Sequence, residues 1–342
     1  MAEQPSLFDD LDDTDEPTPI PATFRAPAPV GRPAAPVPPP RPAPAGDTRR
    51  LYRSHIADGA TFGEAVAYAW HNAHGGSNIG IPIGVVASLA LWPIGREHPQ
   101  TLGEWFLRLT LAELQAAYRE VLAYHWIRRP DLIDHALPLL RWTEEELDKN
   151  QLAAVGDVTR AALKHGVLEM TGSPDPSSRS DTDLMSWALT SLRSHGARQG
   201  LGEYHTPPEV CDVMARMTYG DTEFTPGMRF NDPCAGTGGM FRSLANLVRE
   251  AGHNPHDFTW VMQDIDALAV AGAAVNSIIW DLGPRILLAC GDILAQGDLS
   301  AQSLERRNAV WEHRNSIVRE AALIAAVHKA ENLLTQVADD AA

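Results

Sequence analysis

The spacing of hydrophobic positions along this 342-residue chain changes twice, and those changes divide it. Proline and alanine dominate the first 50 residues, which hold thirteen of the 26 prolines and an acidic cluster from Asp9 to Glu16. Such a segment cannot bury enough apolar surface to offset its ordering entropy, so it reads as a disordered arm with polyproline character. From Leu51 to about His195, apolar residues recur at three- and four-residue spacing, the signature of amphipathic helices. The spacing predicts helices over Thr61–Ala73, Ile83–Leu91, Leu102–Tyr124, Thr143–Leu168 and Asp181–Leu192. Trp70, Trp92, Trp105, Trp126, Trp142 and Trp187 supply core material for them. Glu144, Glu145 and Glu146 suit a first helical turn after Thr143, where the macrodipole favours acids. The Ser- and Pro-rich stretch Gly172–Arg179 reads as a loop.

At Gly200 the pattern changes to glycines followed by alternating strand-like and helix-like segments. Met228–Asp232, Thr259–Asp264 and Ile286–Ala289 are predicted strands with helices between them, the arrangement of a parallel α/β sheet. From Ser300 to Val337 there is neither Gly nor Pro, which predicts one or two long helices. Leu304, Trp311, Val318, Ala322, Ala325 and Leu333 would form their buried stripe. The expected organisation is α then α/β: an arm (1–50), a helical domain (51–196), an α/β domain (197–299) and a C-terminal helix (300–342).

Composition narrows the class. The formal net charge of −16 argues against a stand-alone nucleic-acid binder, and residues 197–342 carry 11 Arg/Lys against 19 Asp/Glu. Lysine occurs only at Lys149, Lys164 and Lys329, an Arg bias that reads as the mark of a GC-rich genome. Cys211, Cys234 and Cys290 are too far apart for a disulfide framework or a zinc site. No run of eighteen apolar residues and no signal-peptide layout occurs, so a cytoplasmic, reduced protein is expected. His71 and His74 have no nearby Glu or Cys and read as ordinary surface histidines.

The sharpest chemistry lies in Asn231-Asp232-Pro233-Cys234-Ala235-Gly236-Thr237-Gly238-Gly239-Met240. A strand ends in an acid, turns through three glycines and opens into a helix, which presents bare amides at a helix N-terminus to a small ligand. Upstream, Gly202 to Glu209 contains Thr206 and Glu209 at capping-box spacing, with Pro207 and Pro208 in the first turn. Asp264 ends the second predicted strand, where its two oxygens suit the two hydroxyls of a ribose, and Asp266 suits a helix N-cap. Gly291-Asp292-Ile293-Leu294 follows the third strand.

In this order, these elements resemble the S-adenosylmethionine site of adenine-specific (N-6) DNA methyltransferases, above all the modification subunits of type I restriction-modification systems. The resemblance covers roughly Gly200 to Leu294 and implies a Rossmann-like methyltransferase sheet, here truncated, with S-adenosylmethionine as cofactor. It places Tyr204 and Thr206 along the methionine end, with His205 where the family usually has Tyr or Phe. Asp232 would face the ammonium, and Cys234, Gly236, Thr237, Gly238 and Gly239 would form the loop around the methionine moiety. Asp264 would take the ribose, Ile265 would pack on the adenine, and Asp292 with Ile293 would meet the adenine amine.

One family element is missing. The catalytic Asn/Asp-Pro-Pro-aromatic tetrapeptide provides acceptors for the target amine and a ring to stack on the flipped base. Here adjacent prolines occur only at Pro38–Pro40 and Pro207-Pro208, without the required neighbours, and Pro284 is the last proline. The family's fourth strand would lie beside the first, which leaves that strand an open edge to be covered by the C-terminal helix or by another chain. Two readings stay open: a methyltransferase that needs a partner chain for catalysis and DNA contact, or a non-catalytic cofactor-sensing or DNA-maintenance module. The arm adds a candidate partner, since Gln4-Pro5-Ser6-Leu7-Phe8 resembles the peptide by which bacterial proteins dock on the sliding clamp. Gln4, Leu7 and Phe8 would make that contact.

Overall fold

A run of small and branched apolar residues, Gly80 to Leu91, forms the centre of the helical part. In the computed structural model, which describes residues 52–92, 99–193 and 206–340, this helix is buried on every side. The arm with Gln4, Leu7 and Phe8, and also Tyr204, lie outside the described residues. A helix apolar all round belongs in a core. This one, α2 (Gly80–Leu91), follows α1 (Gly59–Ala73) and precedes α3 (Pro99–Phe106), α4 (Leu111–Arg128) and α5 (Pro130–Leu140). A single 3-10 turn leads on to α6 (Lys149–Lys164), α7 (Val167–Thr171), α8 (Pro176–Arg179) and α9 (Leu184–Leu192). Helices α5, α6, α7 and α9 pack around α2.

The α/β part runs α10 (Pro208–Tyr219), β1 (Arg229–Asp232), α11 (Gly239–Glu250), β2 (Thr259–Asp264), α12 (Ala267–Ile279), β3 (Ile286–Cys290), α13 (Ile293–Gln296) and α14 (Ser300–Asp340). The strands form a parallel sheet in the order β1-β2-β3, with Phe230 beside Trp260 and Trp260 beside Ile286. The described chain is thus mostly helical with a small three-stranded parallel sheet, an architecture compatible with a truncated Rossmann-like methyltransferase. Trp260 is fully buried between Phe230 and Phe241, and its indole nitrogen donates to the Pro255 carbonyl at 3.0 Å. One hydrophobic cluster extends from Tyr52 to Leu288, joining helices and sheet through α12, which packs on α5, α9, β2 and β3. No helix among the described residues is long and apolar enough to cross a membrane.

Several expectations need correction. The helix expected over 102–124 is two helices, because Thr110 and Glu113 form a capping box that starts α4. The helix expected from Thr143 begins at Lys149 instead, where Asp148 accepts from the Asn150 and Gln151 amides and Gln151 returns a bond to the Asp148 amide. Thr143 is buried and donates to the Leu140 carbonyl, so Glu144–Glu146 fall in the 3-10 turn and the connection after it. The loop expected at 172–179 contains α8, and α5 was not among the predicted segments. Thr206 and Glu209 form no capping box: Pro207 occupies the N-cap of α10, which shifts the helix by one residue and leaves no side-chain cap bond.

The C-terminal stripe is the largest departure. Helix α14 is continuous, but only its first turns are buried, at Ser303 and Arg307, with Leu304 and Trp311 half-buried. Val318, Ala322, Ala325 and Leu333 are exposed, as are Leu323 and Leu334. The helix runs along β3 and α5 and not along β1, so it does not cover the free edge.

Close approach of α2 and α5 gives a test of the core. A Cβ on Gly84 would run into the Leu139 carbonyl oxygen and the Trp142 indole. Gly84→Ala is therefore expected to destabilise the chain by about 1–3 kcal/mol, the usual cost of overpacking. The measurement is the shift of the urea midpoint at unchanged slope.

Candidate cofactor site

Parallel α/β sheets place ligands at the carboxyl ends of their strands. Here a cavity of about 360 Å³ opens there. The glycine loop after β1, the acidic turn after β2 and the Gly291–Leu294 turn after β3 form its wall, closed by α9 and the start of α10.

Each segment is held by its own backbone bonds. The Ala235 amide donates to the Gln263 carbonyl at 3.0 Å, tying the loop to β2, and the Gly238 amide turns back to the Ala235 carbonyl at 2.8 Å. Gly236 has φ 56° and Gly238 φ 92°, conformations that side chains rarely adopt. A Cβ on Gly236 would meet no atom within 4 Å, so at this cavity-lining position it would occupy ligand space and not protein. Gly238 is the N-cap of α11, whose first residues Gly239 and Met240 line the cavity and bring the positive end of the helix to it.

The acids are arranged in series. Asp264 accepts the Gly236 amide on Oδ2 at 2.8 Å and the Asp266 amide on Oδ1 at 2.9 Å. Two of its roughly four lone-pair positions are thereby used. Asp266 caps α12 through the Leu268 and Ala269 amides and pairs with Arg193 at 2.6 Å. Asp292 caps α13, with the Leu294 and Ala295 amides both on Oδ1 at 2.9 and 3.2 Å. Asp232 accepts the Cys234 amide at 3.0 Å. Burial holds its carboxyl above the usual range, the Cys234 bond opposes that, and the charge of Asp264 adds to the rise.

The cavity brings together Thr206, Asp232, Cys234, Gly236, Thr237, Gly239, Asp264, Ile265, Asp292 and Ile293 from the expected set. Gly238 stands behind the wall, against Met262 and Trp280. The Thr237 hydroxyl is buried and donates to Asp183 at 2.7 Å, so this side chain anchors the loop. Ile265 is exposed at the rim, as is Leu294. Sequence reasoning missed Asp183, Ser186 and Arg193 of α9. Asp183 carries an N-cap signal, three residues before Ser186, but its partners Thr237 and Asn276 lie 54 and 93 residues away.

These side chains restrict the ligand. Five carboxylates, from Asp183, Asp232, Asp264, Asp266 and Asp292, line the cavity, and Arg193 is already engaged by Asp266. A pyrophosphate beside this loop would face Asp232 and Asp264, whereas a cationic ligand would relieve their repulsion. No group of three His, Cys, Asp or Glu that could hold a metal ion occurs among the described residues.

Residues 182–309 match the N-6 DNA methylase family. The matched segment begins just before Asp183 and ends in the first turns of α14, so it includes α9 and the whole sheet. No curated protein matches the chain.

Desolvation of Asp232 gives a prediction with a definite sign. A carboxyl whose pKa is raised by folding lowers stability above that pKa, and the penalty disappears once pH falls below the ordinary value. Asp232→Asn retains an acceptor for the Cys234 amide but carries no charge. The unliganded variant is expected to be more stable than the parent at pH 7, and the difference should shrink towards pH 4. Denaturant melts at the two pH values check this. A gain that is larger at the lower pH contradicts the assignment.

Proposed function

We propose that the methylase segment binds S-adenosylmethionine in this cavity. On this reading the chain is the cofactor-binding half of an adenine-specific DNA methyltransferase of the type I modification-subunit kind. The observation that carries the proposal is Asp264, a carboxylate on the cavity wall, fixed by two backbone amides and retaining acceptor capacity. The remaining donor set fits the cofactor as well. The desolvated Asp232 suits its ammonium charge, the α11 N-terminus suits its carboxylate, and Gly236 leaves room beside the loop.

When bound, S-adenosylmethionine supplies an electrophilic methyl group on a positively charged sulfur. The chain's own part is binding and orientation: Asp264 and Asp292 as acceptors at the nucleoside end, the glycine loop and Asp232 at the amino-acid end. Transfer to an exocyclic amine also requires acceptors that draw off its hydrogens and walls that exclude water. The tetrapeptide that performs this work in the family does not occur in these 342 residues. The proposal therefore assigns base binding, catalysis and the grip on DNA to a partner chain. The non-catalytic reading draws on the same missing tetrapeptide and on a sheet that stops at three strands among the described residues.

Calorimetric titration with S-adenosylmethionine should show saturable binding by the purified chain. Asp264→Ala should weaken it by about 1.5–3 kcal/mol, the scale of hydrogen bonds to charged groups. Absence of both heat and thermal shift at millimolar cofactor sinks the cofactor assignment. Radiolabelled methyl transfer to mixed-sequence DNA should stay at background for the chain alone and appear when a chain bearing the Asn-Pro-Pro-aromatic motif is added. Persistent silence with such a chain present favours the non-catalytic module.

A further inference from the structure

We propose that α9 is a clamp that positions the cofactor cavity, with Asp183 fixing the glycine loop and Arg193 fixing the acidic turn after β2. The proposal takes the cavity to be the ligand site argued above, and adds that its geometry is imposed by a helix packed among the helices of residues 52–193.

Asp183 is 4% exposed, and its carboxylate accepts three bonds from described residues. Its Oδ1 takes the Ser186 amide at 2.9 Å and the Asn276 side-chain amide at 2.8 Å, and its Oδ2 takes the Thr237 hydroxyl at 2.7 Å. Asn276 also donates to the Thr237 carbonyl at 2.9 Å, so α9 and α12 hold one loop residue by both its side chain and its backbone. A buried carboxylate with these donors is an anchor, because each bond is charge-assisted and removing one donor leaves the charge under-satisfied. Ten residues further on, Arg193 is 8% exposed and donates to Asp266 Oδ2 at 2.6 Å. Asp266 caps α12, and its amide is bonded to Asp264 Oδ1. One rigid helix, about 15 Å long between these two residues, therefore sets how far the glycine loop stands from the acidic turn.

Packing fixes that helix in turn. Leu184, Met185, Ala188, Leu189 and Leu192 are buried, and α9 lies against α1 on one side and α12 on the other. At Gly272 in α12 even a Cβ would press on Thr237 Cγ2 at 3.0 Å and Met185 Cβ at 3.2 Å, which shows how closely loop, α9 and α12 meet. The methylase match begins at residue 182, so this helix goes with the sheet in sequence while it packs among the helices in space.

The test is hydrogen exchange of the full chain, read by mass spectrometry, together with calorimetry using S-adenosylmethionine. In Asp183→Ala and Thr237→Val, amides of residues 235–239 should exchange about tenfold faster or more, with β3 amides unchanged. Arg193→Gln should do the same at residues 266–269. Thr237→Val preserves side-chain shape and keeps the test decisive if Asp183→Ala does not fold. Cofactor affinity should drop about tenfold in each variant. Unchanged loop exchange in a folded variant, or equal acceleration in the loop and β3, overturns the clamp. Equal cofactor binding by parent and variants also overturns it while the cofactor site stands. Local loosening without any cofactor binding by the parent supports the clamp and removes the cofactor reading.

Discussion

The hydrogen bond from the Gly236 amide to the Asp264 carboxylate decides where the glycine loop sits, because Asp264 ends the middle strand of the sheet. β2 is laddered on both sides, to β1 and to β3, so its last residue is the least movable point at the carboxyl edge. A loop hung from that point takes its position from the sheet. The Ala235 amide bond to Gln263 one residue earlier gives the loop a second fixed point. Asp264 also orients the Asp266 amide, so one carboxylate aligns both the loop and the start of α12. Unpaired, it would be a charge on a partly desolvated wall. Paired with two amides, it is a pre-aimed acceptor.

Much of this was legible in the sequence because it depends on local rules. Thr259–Asp264 was read as a strand with the bounds that the structure gives, since both its faces are buried and it reads as one apolar run up to Gln263. Asp266 was legible as an N-cap, because a cap needs only the next three residues. What failed was decided at a distance or by a near-equal local competitor. Thr143 and Asp148 both offer a helix start five residues apart, and burial of Thr143 against Leu140 gives the start to Asp148. At Thr206-Pro207 two neighbours compete for the N-cap of α10, and capping-box spacing picks Thr206 where the helix takes Pro207. The apolar stripe of α14 has helical period but no partner in the fold, and periodicity cannot distinguish a face that is buried from one that is available. The anchoring of Thr237 by Asp183 joins residues 54 apart, which no local pattern records.

β1 shows how an incomplete sheet edge can persist. The Thr259 amide bonds the Met228 carbonyl, so alternation turns the backbone groups of Phe230 and Asp232 towards β2 and those of Arg229 and Asn231 outwards. The strand is four residues long, and the side chains of Arg229 and Asn231 are exposed and polar. Short, polar edges are the usual defence against edge-to-edge association. The adjoining helix α10 is less guarded. Val210, Val213, Met214 and Met217 form an exposed stripe at helical spacing, with Met217 82% exposed, while Cys211 and Ala215 pack on α11. Tyr219 at the end of the same helix stacks edge-on against Phe230, so this helix packs beside the edge strand. The polar edge limits self-association without closing that side to a specific partner.

Electrostatics ties the cavity to the rest of the chain. Residues 197–342 are acidic, with 11 basic residues against 19 acidic ones, and many of the arginines are committed to internal bonds. Arg242 serves the Ser180 carbonyl and Asp212, and Arg249 serves the carbonyls after α12, while upstream of this range Arg179 serves carbonyls of α12 and the loop before α8. Desolvation holds the Arg179 and Arg249 guanidinium groups below their ordinary range, as expected for groups used as structural donors. Arginines spent on helix ends are poorly placed to neutralise phosphates, and affinity for a duplex grows with the phosphates neutralised. The same surplus of acid that would repel a duplex makes the cavity suited to a cationic small molecule. The segment that matches the N-6 DNA methylase family thus commits Arg242 and Arg249 to internal bonds and places five carboxylates at the cavity.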